Sequence, residues 1–296
     1  LVALGTIADV APLTGENHIL VRHGLEVLTT TNKAGLVALK AVADLDNRVN
    51  ARSVGFALGP RLNAAGRLGK ADSGLHLLTS IDLKEAKELA LQLDAINQER
   101  KKIQEQVQDE VDYLISREID LEKDKVIVLA SENFHSGVVG IVASRVKDKY
   151  CRPVVLIALD NGIGKGSGRS IPHFNLHRAF TDCAKYLIQF GGHAYAAGLT
   201  IDERNVDLFR NTMNEIGQRI LSKENLIPEL FIDTPLKVSE ITEALYKEIT
   251  CLEPFGAENP SPVFLIQCVK ISRLKRMGRG ELHVRFQAIQ DNAKID

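Results

Sequence analysis

The sequence predicts an α/β protein in four stretches: an α/β portion (1–80), a long connecting helix (81–118), a second α/β domain (119–223) and a β-rich, OB-fold-like end (224–296). Three observations carry that reading. Apolar residues recur near a period of 3.6 at Leu83, Ala86, Leu93, Ile103, Val107, Val111 and Leu114 within a run dense in charge, the pattern of one amphipathic helix of about 35 residues. On both sides of it, short apolar runs alternate with helical patterns. After Glu224 short alternating runs are separated by turn formers such as Pro235, Pro254, Gly256, Pro260 and Gly278.

Taken in order, residues 1–10 read as an apolar strand, followed by helical stretches at 19–29 and 34–45 and a Gly/Pro/Asn-rich segment, GPRLNAAGRLG. Beyond the long helix come a strand at 126–130, a helix at 138–149 and a strand at 154–159. A glycine-rich turn, NGIGKGSGRS, leads to a helix at 176–189. The segment GGHAYAAGLTI and a helix at 206–221 complete the domain. No internal repeat or low-complexity tract occurs.

Composition narrows the function classes. No apolar run approaches the roughly 20 residues needed to cross a bilayer, and the opening lacks the basic flank and cleavage site of a signal peptide. The four cysteines, at 151, 183, 251 and 268, show no C-x-x-C spacing, which argues against zinc knuckles and a disulfide framework and for a reducing cytoplasm. A net charge of −1 gives no global field for nucleic acid, so any polyanion site must be local. The chain opens at Leu1 inside an apolar run, has methionine only at 213 and 277, and ends shortly after LHVRFQAI; it reads as N-terminally truncated with an incomplete last module.

Several residues carry candidate chemistry. Asp9, read at the carboxyl end of a strand, is a hard oxygen ligand suited to Mg²⁺ or Mn²⁺, or else a capping or turn residue ahead of Pro12. Arg61, Asn63 and Arg67 lie among small residues, placed either to grip phosphate bidentately or as solvated groups at a helix end. The segment 161–170 joins four glycines to Lys165, Ser167 and Arg169. It fits neither the phosphate loop nor the dinucleotide fingerprint, leaving a phosphodiester-binding backbone nest or a plain hairpin turn. His193 follows Gly191 and Gly192 and is either an accessible catalytic imidazole or a structural one. His173 and His177 are a weak metal pair against a solvated face, and His135 precedes a helix start that would attract an anion. Lys270, Arg273, Lys275, Arg276, Arg279 and Arg285 stand against Glu281 alone, a solvated surface or a basic β-surface for a single strand.

In this order, ALGTIADVAPL, FALGPRLNAAGRLG, HSGVVGIVASRV, GKGSGRSIP, FGGHAYAAGL and EPFGAENPSPVF resemble the RecJ branch of the Asp-His-His (DHH) phosphoesterase superfamily over essentially the whole chain. The resemblance implies the C-terminal remainder of a DHH metal-binding domain at 1–80, the connecting helix, a DHH-associated domain and an OB-fold-like module. It implies two Mn²⁺ or Mg²⁺ ions held by the first domain, with Asp9 the one matching ligand, and no counterpart here of the upstream Asp and His motifs, so that these residues alone should be inactive. It assigns catalysis to Asp9 and His193. Phosphate binding falls to Ser167, Arg169, Gly191, Gly192, Arg61, Asn63 and Arg67, and strand feeding to basic residues including Lys275 and Arg276. The implied activity is 5′ to 3′ degradation of single-stranded DNA to mononucleotides in repair and recombination, with a helicase or single-strand-binding protein as partner and no membrane. Many relatives carry glycine where Glu258 stands, so that turn is given no role. Two other readings stand beside this one. A phosphodiesterase of short oligonucleotides or cyclic dinucleotides would not need the basic β-module, and a non-catalytic single-strand-binding protein would lack the upstream motifs.

Overall fold

The computed structural model describes residues 1–45, 48–68 and 72–295. Gly69 of the GPRLNAAGRLG motif, the side chain of Arg279 and Asp296 lie outside the described residues. The chain forms two compact units, Leu1–Pro60 with Glu229–Asp296, and Arg61–Pro228.

The first unit begins with α1 (Val2–Ala8), α2 (Gly15–Thr29), α3 (Ala34–Val42) and α4 (Ala51–Ser53), which runs through a π turn (Val54–Leu58) into α5 (Gly59–Arg67). The opening is thus a helix and not the expected strand. A short apolar run cannot distinguish the two by period; here Thr6 Oγ1 donates to the Val2 carbonyl (2.9 Å) and α1 packs on α2. Gly24 permits the approach, since a Cβ there would lie 2.6 Å from Ala3 Cβ. Asp9 consequently ends a helix. Residues 59–67 of the Gly/Pro/Asn-rich segment form α5, with Ala64 and Ala65 fully buried.

In the second unit, α6 (Asp72–Thr79) precedes α7 (Leu83–Glu118), the long helix, capped by Asp82 Oδ1 accepting from Lys84 N (2.7 Å). Then follow β1 (Ile127–Ser131), α8 (Val139–Tyr150), β2 (Val154–Asp160), β3 (Ile163–Arg169), α9 (Leu176–Asp182), β4 (Leu187–Gly192), β5 (Ala196–Asp202) and α10 (Val206–Ile220). The sheet order is β1-β2-β3-β5-β4, with β1 and β2 parallel and every other pair antiparallel. One face buries Val128, Val155, Ile157, Leu199 and Ile201 under Phe180, Phe209 and Met213. The opposite face of β1 and β2 buries Ile127, Leu129 and Leu156 with Val107, Val111, Val139 and Val142. Helices α9 and α10 pack on one face; on the other, α8 lies over β2 and β3, and Gly191, Ala196 and Gly198 of β4 and β5 stay exposed beside it.

Two sequence expectations are corrected here. NGIGKGSGRS is a hairpin and a strand: only Asn161 and Gly162 turn, with φ of 49° and 79°, the two-residue connection that strand twist favours. The glycines of β3 are packing glycines, since a Cβ at Gly164, Gly166 or Gly168 would lie 2.5 Å from Ile157, 2.9 Å from Leu199 or 2.6 Å from Leu176. The helix expected over 176–189 stops at Asp182, and residues 187–192 are the edge strand β4. Cys183, at that stop, is fully buried and its thiol is pushed up to about 12 by burial, so it stays a protonated core group at neutral pH. All four cysteines are free.

The chain then returns to the first unit with β6 (Thr234–Pro235), α11 (Glu243–Thr250), β7 (Phe264–Leu265), β8 (Lys270–Met277), β9 (His283–Gln290) and β10 (Ala293–Ile295). β10-β9-β8 form an antiparallel sheet, and β6 pairs in parallel with β7. The two parts of this unit meet where Leu13 N donates to the Ala257 carbonyl (2.7 Å) and Leu13 packs on Gly256. The next residue, Glu258, holds φ at 57°, a left-handed conformation that glycine adopts without strain.

Candidate phosphate-binding face

Strand alternation sorts β3 by side. Its glycines turn into the core, which places Lys165, Ser167 and Arg169 on the other face. In register across the sheet, Ser167 lies opposite Gly198 of β5, and Gly198 opposite Gly191 of β4; Arg169 lies opposite Ala196. Gly191, Ala196 and Gly198 are exposed, and a Cβ at Gly191 would meet nothing within 4 Å. No packing within the chain demands that bare floor.

The wall beside the floor is the first turn of α8. Its end carries no side-chain cap, and Gly140 fits tightly, because a Cβ there would stand 2.9 Å from Ser167 Oγ and 3.0 Å from Arg169 Nη2. Half-buried Arg169 donates to Ser167 Oγ (3.1 Å) and to the Gly168 carbonyl (2.8 Å). From the end of α5, Arg67 donates to the Gly137 carbonyl (3.3 Å) just ahead of α8, where His135 Nδ1 accepts from Gly137 N (3.1 Å). Burial, and then the charge of Arg67, lower the Arg169 pKa from the ordinary arginine value. An oxyanion here would meet two guanidinium groups, a hydroxyl and the positive end of a helix over a floor without side chains.

Of the expected site residues, this face joins Ser167, Arg169, Gly191 and Arg67. Gly192, with φ at 134°, turns the chain out of β4, and exposed His193 follows, its N–H donating to the Ala196 carbonyl (2.8 Å) beside the Arg169 position. Arg61 is committed elsewhere: its Nε binds Asp94 Oδ1 at 2.8 Å, tying α5 to α7. Asn63 is exposed on α5. Asp9, Lys275 and Arg276 belong to the other unit, where Lys275 pairs across the β8–β9 hairpin with Arg285. Exposed His173 has φ of 71° and lies outside α9, and the His177 ring packs near Phe190 (5.9 Å). Among the described residues no three His, Cys, Asp or Glu side chains converge as a metal site, so the donors present do not by themselves make up a two-ion centre. Sequence reasoning missed Gly140 and Gly198. Gly140 lies within HSGVVGIVASRV, and Gly198 within FGGHAYAAGL.

A test of the floor follows directly. Gly191→Val should leave thermal stability within about 0.5 kcal/mol of wild type, since the site is open and valine suits a strand. It should weaken binding of a fluorescent dT oligonucleotide ten-fold or more, a clash of about 1.4 kcal/mol or greater. Fluorescence anisotropy and a melting curve on one preparation read both.

Comparison with known proteins agrees with this architecture. Residues 123–218 match the DHHA1 domain and residues 232–296 the RecJ OB domain. The chain is 38% identical over 300 residues to the single-stranded-DNA-specific exonuclease RecJ of Bacillus subtilis, covering 100% of this chain and 38% of that protein. It is 34% identical to RecJ of Thermus thermophilus, over 97% of this chain and 41% of that protein. The crystal structure of RecJ in complex with Mn²⁺ from Thermus thermophilus matches 99% of this chain and 42% of its own with a TM-score of 0.86 at 32% identity, and the Mg²⁺ complex matches with 0.85 at 31%. The chain thus spans about two fifths of the length of these relatives; it carries both matched domains and is similar to RecJ proteins along essentially its whole length.

Proposed function

We propose that this chain is the strand-gripping portion of a metal-dependent exonuclease that degrades single-stranded DNA from 5′ to 3′ in repair and recombination. The observation that carries the reading is the face on which Ser167, Arg169 and Arg67 surround a floor of glycine and alanine. A phosphodiester suits two guanidinium forks, and a side-chain-free floor admits a flexible single strand. The basic hairpin of β8 and β9 supports a second contact along the strand, with Lys275 and Arg276 exposed. In the intact enzyme Asp9 would join ligands from beyond this chain to hold Mn²⁺ or Mg²⁺, ions that activate water and neutralise charge in phosphodiester hydrolysis. His193 would hold a phosphate from the turn after β4, and a helicase or single-strand-binding protein would present the strand. A cytoplasmic setting fits the free thiols, and among the described residues no helix is long and apolar enough to cross a membrane.

That no acidic cluster converges among the described residues favours a second reading for these residues taken alone, namely binding without cleavage. The test is digestion of 5′- and 3′-labelled single-stranded DNA with Mn²⁺ by this chain and by the full-length product of its gene. Release of mononucleotides from the 5′ end by the full-length protein, abolished by Asp9→Ala, supports the exonuclease; binding without release by both replaces it with the second reading.

A further inference from the structure

The phosphate-binding face does not end at Ser167. Strand alternation keeps Lys165 and Ile163 of β3 on its side of the sheet, and in register with them stand Ala158 and Asp160 of β2. These four residues, with Glu132, His135 and Ser136 of the loop that leads into α8, line a cavity of about 380 Å³. It adjoins the phosphate site on two sides. Lys165 stands one alternation from Ser167, about 7 Å along β3. Ser136 directly precedes Gly137, whose carbonyl accepts from Arg67.

The chemistry of the cavity differs from that of the phosphate site. Phe134, Ala158 and Ile163 give it apolar walls. His135 Nδ1 accepts from Gly137 N, so the neutral ring carries its proton on Nε2 and offers a donor there. Glu132 and Asp160 therefore outnumber the one cation, Lys165, and a phosphate is repelled here where Arg169 and Arg67 attract one. Asp160 Oδ1 accepts from Asn161 Nδ2 (2.8 Å), and its second oxygen remains an acceptor. Apolar walls with donors and acceptors at the rim suit a flat group that is apolar on its faces and polar at its edges, and a nucleobase is such a group. We propose that this cavity is a base pocket: it takes the base of a nucleotide whose phosphate lies against Ser167 and Arg169, so that phosphates follow the arginine edge and bases turn toward the β2–β3 hairpin. This rests on the reading of the face given above and adds a selectivity to it. The carboxylates accept from an exocyclic amino group, which cytosine carries and thymine lacks. A cytosine strand then binds more tightly than a thymine strand of the same length and charge.

Fluorescence anisotropy on the whole chain with dC, dT and abasic homo-oligonucleotides of one length tests this, since a homopolymer offers the same base in every register. Wild type should bind dC about 3- to 10-fold more tightly than dT, the worth of one hydrogen bond. Glu132→Gln combined with Asp160→Asn should erase that dC-to-dT ratio, which a uniform effect of the lost charges leaves unchanged. Ile163→Trp, which fills the cavity from its rim, should weaken dC and dT and spare the abasic strand; Ile163→Phe replaces it should a melting curve show that tryptophan unfolds the hairpin. If these variants keep the wild-type ratios among the three strands while Arg169→Ala weakens all three, the base pocket falls and the face keeps its role. If Arg169→Ala weakens none, the reading of the face itself falls. Equal wild-type affinities for dC and dT overturn the selectivity, and a loss on the abasic strand as large as on dC and dT assigns the cavity to the sugar-phosphate chain and overturns the base pocket.

Discussion

Arg169→Ala should weaken binding of single-stranded DNA by about 10- to 100-fold, the loss of one charge-assisted contact of roughly 1.5–3 kcal/mol. The slope of log affinity against log salt should also flatten by about 0.7, because one phosphate contact on a single strand releases about that many counterions. A merely structural arginine would move the melting curve and leave the slope alone. The opposite is expected here: Arg169 is half-buried beside Arg67, and its bonds inside the chain are to the neighbouring Ser167 and Gly168, so its removal takes away a desolvated charge and no tertiary tie. A Tm at or slightly above wild type, with a flatter salt dependence in fluorescence anisotropy, is the predicted pair of results.

The largest stability effect belongs to Asn214. This buried side chain on α10 reaches the start of β1, where its Oδ1 accepts from Lys125 N (2.9 Å) and Val126 N (3.1 Å) and its Nδ2 donates to the Val126 carbonyl (3.0 Å). Three backbone groups at the sheet edge thus depend on one amide, and those of Val126 are fully buried, out of reach of replacement by water. Asn214→Ala should cost about 2–4 kcal/mol, the penalty for stranding buried donors and an acceptor. That cost corresponds to a Tm lower by roughly 6–12 °C for a unit of this size. Differential scanning fluorimetry checks it, and a loss under 2 °C would show that the edge finds other partners.

Much of this arrangement could be read from the sequence, for physical reasons that differ by element. The long helix was legible because Ala86, Ala90, Leu93, Val107 and Val111 repeat over ten turns, and such a period cannot sit in a strand. The strands β1 and β2 were legible as short apolar runs bounded by turn formers, and the site motifs as glycines beside basic groups. What escaped was decided at a distance. Glycine at alternate positions of β3 reads as a turn until Ile157, Leu199 and Leu176 are seen filling the space of the missing Cβ atoms. Arg61 reads as a free phosphate ligand until Asp94, 33 residues on, takes its Nε. The opening reads as a strand because ten residues hold too few turns to show a helical period. Arg100 looks like one more charge on a charged helix, and only burial marks it out. The meeting of Leu13 with Ala257 has no local signal at all.

The measurement closest to the central claim is a crystal structure of this chain with a bound dT oligonucleotide. The account predicts a backbone phosphate within hydrogen-bond distance of Ser167 Oγ and the Arg169 guanidinium, with the strand lying over Gly198 and Gly191. A strand held only by the β8–β9 hairpin, with the face of β3, β5 and β4 bare, would contradict it.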